Sequence, residues 1–231
     1  MLKKYGQSLV YDVIHPLIKL LIRYKVSPNA ITTVGFVLNL VAAILFIIGA
    51  EVSAREDHRF VGWAGAVILF AGLFDMIDGR LARLSNTAHP YGALYDSVID
   101  RYSELFMFLG ICYYLVAQSY FLSSIFAFIA MIGSVMVSYT RARAEALGVS
   151  PSIGLMQRPE RVLLVGISAV SCGVFSHYFG GDFKIALSFP PYTAFETITL
   201  FTFPLFLMAI LTNITAVRRL LFSRKALKGE A

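Results

Sequence analysis

The sequence predicts an all-α integral membrane protein, with six transmembrane helices preceded by an amphipathic helix on the membrane surface. Three observations predict it. Hydrophobic residues make up 58% of the chain and charged residues only 15%, against about 25% charged in soluble proteins. Several apolar stretches reach about 20 residues, the length a helix needs to cross the hydrocarbon core. These stretches are continuous rather than alternating, which argues against a β-barrel.

The elements follow in order. Residues 1–25 lack a compact apolar run and a small-residue cleavage site, so they do not read as a signal peptide. Their apolar residues Val10, Val13, Ile14, Leu17, Ile18, Leu21 and Ile22 recur at helical spacing, as in a helix lying on a membrane surface. The first span is Ile31–Ala50, which carries no charge. Five more are expected near Val61–Leu84, Tyr91–Ala117, Tyr120–Tyr139, Val162–Phe179 and Ala194–Val217. With no internal repeat or linker, the chain reads as a single domain. Residues 1–25 are its juxtamembrane helix, 26–217 its core and 218–231 a basic cytoplasmic tail. Cys112 and Cys172 lie in apolar stretches and read as buried free thiols.

Basic residues orient the spans. Of the 20 Lys and Arg, only Arg55, Arg59 and Lys184 fall at one end of the helices. All others fall at the opposite end, which places both termini in the cytoplasm. The net charge of +6 is a property of that face and suits anionic headgroups and phosphorylated substrates. Scattered at helix ends, it does not make a nucleic-acid surface.

Chemistry concentrates in FDMIDGRLARLSNTAHPYGALYDSVIDR. Asp75 and Asp78 are three residues apart, Asp96 and Asp100 four, so each pair shares one helix face. Neighbouring helices joined by a short turn can bring both pairs to one point. Four carboxylates there repel one another and ionise poorly in low dielectric. Divalent cations resolve the conflict. Oxygen ligands without His or Cys point to Mg²⁺ or Mn²⁺, two ions for four carboxylates. Pairing with Arg83 or Arg101 is the purely structural alternative. Gly79 and Ala82 leave room for a ligand beside the second span, and Gly92 does so on the third. Close helix packing would also use Gly79.

Asp75-x-x-Asp78-Gly79-x-x-Ala82-Arg83, eight residues, Gly92-x-x-x-Asp96-x-x-x-Asp100 resembles the signature of the CDP-alcohol phosphotransferase family at every fixed position. The resemblance implies a six-helix fold, a homodimer, and a metal site at the cytoplasmic end of a polar cavity. It implies transfer of a substituted phosphate from a CDP-linked donor to an alcohol, with release of CMP. Carried over, Asp75, Asp78, Asp96 and Asp100 are metal ligands, and Asp100 is also the general base. Asp78, Gly79, Ala82 and Arg83 resemble the nucleotide-contacting part. Asn29 and Thr32, in Ser27-Pro28-Asn29-Ala30-Ile31-Thr32, resemble the family's Pro-Asn-x-x-Thr entry beside the nucleotide. A plain helix start with Asn29 as its cap is the alternative.

The donor expected is CDP-diacylglycerol, since the chain has an apolar, lipid-facing body. A second basic cluster bears on the acceptor. Arg141 and Arg143 precede Glu145; Arg158, Glu160 and Arg161 follow a short loop. Arginine forks suit a phosphate on the acceptor, although a topogenic loop would also be basic. SYTRARAE followed by RPER resembles the family branch that joins inositol 1-phosphate to make phosphatidylinositol phosphate. That branch often has Lys where Arg141 stands and Glu where Gln157 stands. By this resemblance Arg141, Arg158 and Arg161 are acceptor-phosphate contacts, with Glu145 and Glu160 orienting them.

His89 reads as a turn residue, and Asn213, Thr215 and Glu196 as cavity or contact residues in the last span. Two alternatives stay open. One is a relative in the same family with another acceptor, such as a phosphatidylglycerophosphate synthase. The other is an ion-coupled transporter, against which the uneven carboxylate spacing and the lack of repeats both count.

Overall fold

The computed structural model describes residues 15–151, 154, 156–181, 183–186 and 193–229. Residues 15–23 are helical; Val10, Val13 and Ile14 of the expected surface helix lie outside the described residues. Six long helices follow: α1 (Pro28–Val52), α2 (Arg59–Leu84), α3 (Pro90–Ala117), α4 (Phe121–Glu145), α5 (Arg158–Tyr178) and α6 (Thr199–Lys228). Two short strands, β1 (Lys184–Ala186) and β2 (Thr193–Glu196), pair antiparallel between α5 and α6. The fold is that of an all-α integral membrane protein with this one small hairpin. Five of the helices are long and apolar enough to cross a membrane. The sixth, α3, has 28 residues, but Asp96, Asp100, Arg101 and Glu104 interrupt its apolar character.

The helix starts have local causes. Ser27 caps α1, its hydroxyl accepting from the Ala30 amide at 3.3 Å, with Pro28 in the first turn. Ser27, not Asn29, is therefore the cap, because the chain is still extended at Ser27. His89 caps α3, its Nδ1 accepting from the Tyr91 amide at 3.2 Å. Gln157 and Glu160 close a capping box at the start of α5.

α4 runs past its expected membrane span to Glu145 and carries Arg141 and Arg143. Two boundaries differ from the sequence expectation. The last helix begins at Thr199, and Ala194 lies in β2 instead. The cause is a tertiary pairing with β1, with Ile185 opposite Phe195. Residues 218–228, expected as a tail, continue α6, and both Arg219 and Ser223 are buried there.

The apolar core joins Phe46, Ile68, Phe108, Ile111, Phe201 and Leu205, with Phe46 and Phe201 stacked at 5.8 Å. Buried Cys172, its thiol donating to the Thr197 carbonyl at 3.6 Å, and half-buried Cys112 take part in no disulfide among the described residues. A second cluster docks Ile18 and Leu21 of the N-terminal helix against Ile31, Ile77 and Leu81. Leu17 and Leu20 of that helix stay exposed.

One helix crossing sets up the functional end. A Cβ on Gly173 would lie 2.4 Å from the Gly62 Cα, so α2 and α5 meet backbone to backbone. They run antiparallel, and the register continues. Gly65 meets Ala169, Gly72 meets Val162, and Asp75 then meets Arg158 at the start of α5. Helix α1 packs on α2 in the same way. Thr32 bonds Asp78 at 2.7 Å, and a Cβ on Gly35 would approach Asp75 Oδ1 at 3.6 Å.

Candidate active site

All four aspartates converge. Every pair among Asp75, Asp78, Asp96 and Asp100 lies within charge–charge range. Asp78 is held on both oxygens. Oδ2 accepts from the Thr32 hydroxyl at 2.7 Å, and Oδ1 accepts from the Gly79 amide at 2.5 Å. Arg158 reaches into the group from α5. Its Nη1 lies 2.8 Å from Asp75 Oδ2 and 2.7 Å from Asp100 Oδ2.

Does this donor set fit divalent metal? Among the described residues no three acidic, histidine or cysteine side chains are drawn tightly enough together to make a finished cage. The donor chemistry nevertheless fits. The Arg158 guanidinium stands between Asp75 and Asp100 as a cation does, with Asp96 within charge–charge range of it. One positive charge leaves most of theirs uncompensated, and an arginine fork is wide enough to keep the carboxylates apart. The donor set therefore outweighs the spacing. Hard, all-oxygen ligands are the set that Mg²⁺ and Mn²⁺ take.

Two cavities flank the carboxylates. The larger, about 740 Å³, lies among the N-terminal helix, α1, α2 and α3. Asn29, Thr32, Asp78, Gly79, Ala82 and Arg83 all line it, as does Asp96. The residues expected to contact a nucleotide are thus brought together. Gly79 faces open space here: an added Cβ would meet only the Arg83 guanidinium, at 3.7 Å.

The second cavity, about 540 Å³, lies among α3, α4, α5 and α6. Asp100, Arg141, Arg158 and Arg161 line it. Ala93 lines both cavities, and Asp78 and Asp96 line the first and Asp100 the second, so the carboxylate group lies between the two.

The three arginines differ in how they stand. Arg141 is half exposed, and Glu145 orients it at 2.8 Å. Arg158 stands between the carboxylates, with its Nε buried and unbonded. Arg161 is only 1% exposed. Its Nε and Nη2 grip Glu104 at 2.6 and 2.9 Å, and its Nη1 donates to the Met156 carbonyl at 2.8 Å. Arg161 therefore contributes charge and shape to the cavity wall rather than an open donor fork. The carboxylate of Glu160 accepts from the Gln157 amide.

Sequence reasoning missed Glu104 and Arg219, which line this second cavity too. Glu104 continues the stripe of Asp96 and Asp100 at four-residue spacing, a signal that could have found it. Arg219 is 3% exposed and donates from Nη1 to the Val137 carbonyl at 2.8 Å, one turn before Arg141. It lies on the buried stripe of α6 that passes through Leu205, Met208, Thr212 and Thr215.

Known proteins share this layout. A family model described as CDP-alcohol phosphatidyltransferase matches residues 25–217. The phosphatidylinositol phosphate synthase of Corynebacterium glutamicum is 32% identical over 181 residues, covering 75% of this chain and 77% of the relative. An archaetidylinositol phosphate synthase of Pyrococcus horikoshii is 32% identical over 68% of this chain and 78% of its own length. The crystal structure of Mycobacterium tuberculosis phosphatidylinositol phosphate synthase with CDP-DAG bound superposes with a TM-score of 0.70 at 26% identity, over 90% of this chain and 92% of that one. The same enzyme in complex with manganese and citrate gives a TM-score of 0.69 at 25% identity, over 90% and 87%.

Proposed function

The chain belongs to the CDP-alcohol phosphatidyltransferase family, and on that premise we propose that it transfers the phosphatidyl group of CDP-diacylglycerol to inositol 1-phosphate, giving phosphatidylinositol phosphate and CMP. The observation that carries this reading is the meeting of two cavities at the carboxylates, one lined by the nucleotide motif and the other by arginines. Family membership supports a metal-dependent reaction, and a manganese complex of a relative supports it further.

Asp75, Asp78, Asp96 and Asp100 would hold two Mg²⁺ or Mn²⁺ ions. Metal held there would supply positive charge to the donor diphosphate and to the charge that develops as CMP leaves. The protein's own groups do the rest. Thr32 and the Gly79 amide fix Asp78. Asn29, Thr32, Gly79, Ala82 and Arg83 shape the nucleotide cavity, with the Arg83 fork suited to the diphosphate. Arg141 and Arg158 take the acceptor phosphate, and Arg161 holds the wall behind them. Asp100 lies at the cavity junction. It accepts the proton of the acceptor hydroxyl as that oxygen attacks the phosphorus and the bond to CMP breaks.

Six membrane crossings follow if α3 spans with its neighbours, its charged half covered by the bundle. Basic residues at the carboxylate end support an active site and both termini on the cytoplasmic side of a plasma or inner membrane. The exposed Leu17 and Leu20 support a surface-lying N-terminal helix. The family resemblance also supports a homodimer.

The test is CMP release by purified protein with CDP-diacylglycerol and Mg²⁺, offering inositol 1-phosphate, free inositol or glycerol 3-phosphate. Turnover with inositol 1-phosphate alone is expected, and its loss on chelation. Turnover only with glycerol 3-phosphate discards the acceptor and keeps the chemistry.

Gly79→Ala tests the donor cavity separately. Its melting temperature should equal or exceed wild type, because Ala is favoured over Gly in a helix by about 1 kcal/mol. Its new methyl enters the cavity, so the KM for CDP-diacylglycerol should rise. An unchanged KM would put the nucleotide elsewhere.

A further inference from the structure

The N-terminal helix ends in a costly way. The Lys25 amide donates to the Ile22 carbonyl and the Val26 amide to the Leu21 carbonyl, both at 3.0 Å. This closure turns the chain sharply into Ser27 and α1, and it holds Lys25 in the left-handed region at φ 54°. Glycine is the usual residue there, because any Cβ is disfavoured. Helix α2 ends by the same bond pattern, the Thr87 amide donating to the Ala82 carbonyl at 3.1 Å. Its left-handed residue is Asn86, also at φ 54°. Asparagine tolerates that conformation; lysine gains nothing from it.

Ser119 and Met156 also take positive φ, but Lys25 is the charged residue among these four, and a long charged side chain held there is best explained by what it does. Lys25 lines the 740 Å³ cavity. Arg83 is the other Lys or Arg in the cavity wall, and the carboxylates Asp78 and Asp96 line it too. A cation at the helix end also suits the helix dipole and the topology rule. Lys19 and Arg23 already meet both needs on the same helix without a strained backbone.

We propose that Lys25 is a donor-binding residue, its ammonium pairing with the diphosphate of the cytidine nucleotide opposite Arg83. This deepens the proposed function and rests on its assignment of the donor. The N-terminal helix, docked through Ile18 and Leu21, then carries a phosphate ligand into the site.

The test is CDP binding in the presence of Mg²⁺, measured by calorimetry on the full chain in detergent, beside thermal unfolding. Lys25→Gly relieves the strain and removes the ammonium, so its melting temperature should be unchanged or raised. Its Kd for CDP should weaken about tenfold, the scale of one charge-assisted hydrogen bond. Lys25→Met should lose the same affinity without the gain in stability, and Lys19→Met should bind as wild type does. In turnover, the KM for CDP-diacylglycerol should rise while the acceptor KM holds. Wild-type CDP affinity in Lys25→Gly overturns this inference and leaves the donor assignment standing. No CDP binding by the wild-type chain overturns both.

Discussion

Asp100→Asn should cut turnover about 10²- to 10⁴-fold, the range that a positioned general base contributes. Asparagine keeps the shape of the carboxyl and still offers an acceptor to Arg158, whose Nη1 also holds Asp75 at 2.8 Å. The cavity walls therefore stay in place, and the donor should bind nearly as before. The expected signature is a large fall in kcat with a small change in the KM for CDP-diacylglycerol. Steady-state CMP release across donor concentrations measures both. Turnover within a few-fold of wild type would remove Asp100 from the proton-accepting role. A donor KM raised as much as kcat falls would make it chiefly a metal ligand.

Glu104→Ala should destabilise the fold by about 3–5 kcal/mol, the cost of leaving one member of a buried ion pair alone. The pair is enclosed, with side chains 1% exposed at Arg161 and 5% at Glu104. It is bidentate, and it ties α3 to α5 just below the carboxylates. Replacing both partners with leucine should recover part of the loss, because no buried charge is then left unpaired. Thermal unfolding of Glu104→Leu, Arg161→Leu and the double variant, in one detergent beside Glu104→Ala, measures the coupling. A single variant within about 0.5 kcal/mol of wild type, typical of a surface change, would mean that water reaches the pair.

Much of the site was legible because its pattern is local. Asp75, Asp78, Asp96 and Asp100 sit at three- and four-residue spacing, and a helix turns such spacing into one face whatever lies around it. Asn29, Thr32, Gly79, Ala82 and Arg83 were legible only through the resemblance to the family motif, and the structure lines one cavity with them. Arg161 was less legible. Its spacing gives its helix face but not its partner, and Glu104 is 57 residues away in the chain. Arg219 was read as part of a tail, because a run of basic residues after an apolar span looks alike whether solvated or packed. The hairpin of β1 and β2 went unseen because its strands are three and four residues long, too short to show alternation.

By itself, the sequence determined the membrane class, the number of long helices, their approximate limits, and the carboxylate chemistry carried by α2 and α3. Hydrophobic length and helical period act within one segment, so one segment suffices to read them. Only the tertiary structure decided that Arg158 enters the carboxylate group, that Glu104 holds Arg161, that two cavities meet beside Ala93, and that Lys25 occupies a strained turn facing one of them. These depend on the register in which helices cross. That register is set by contacts such as Gly62 on Gly173, where two backbones remote in sequence touch because neither carries a side chain.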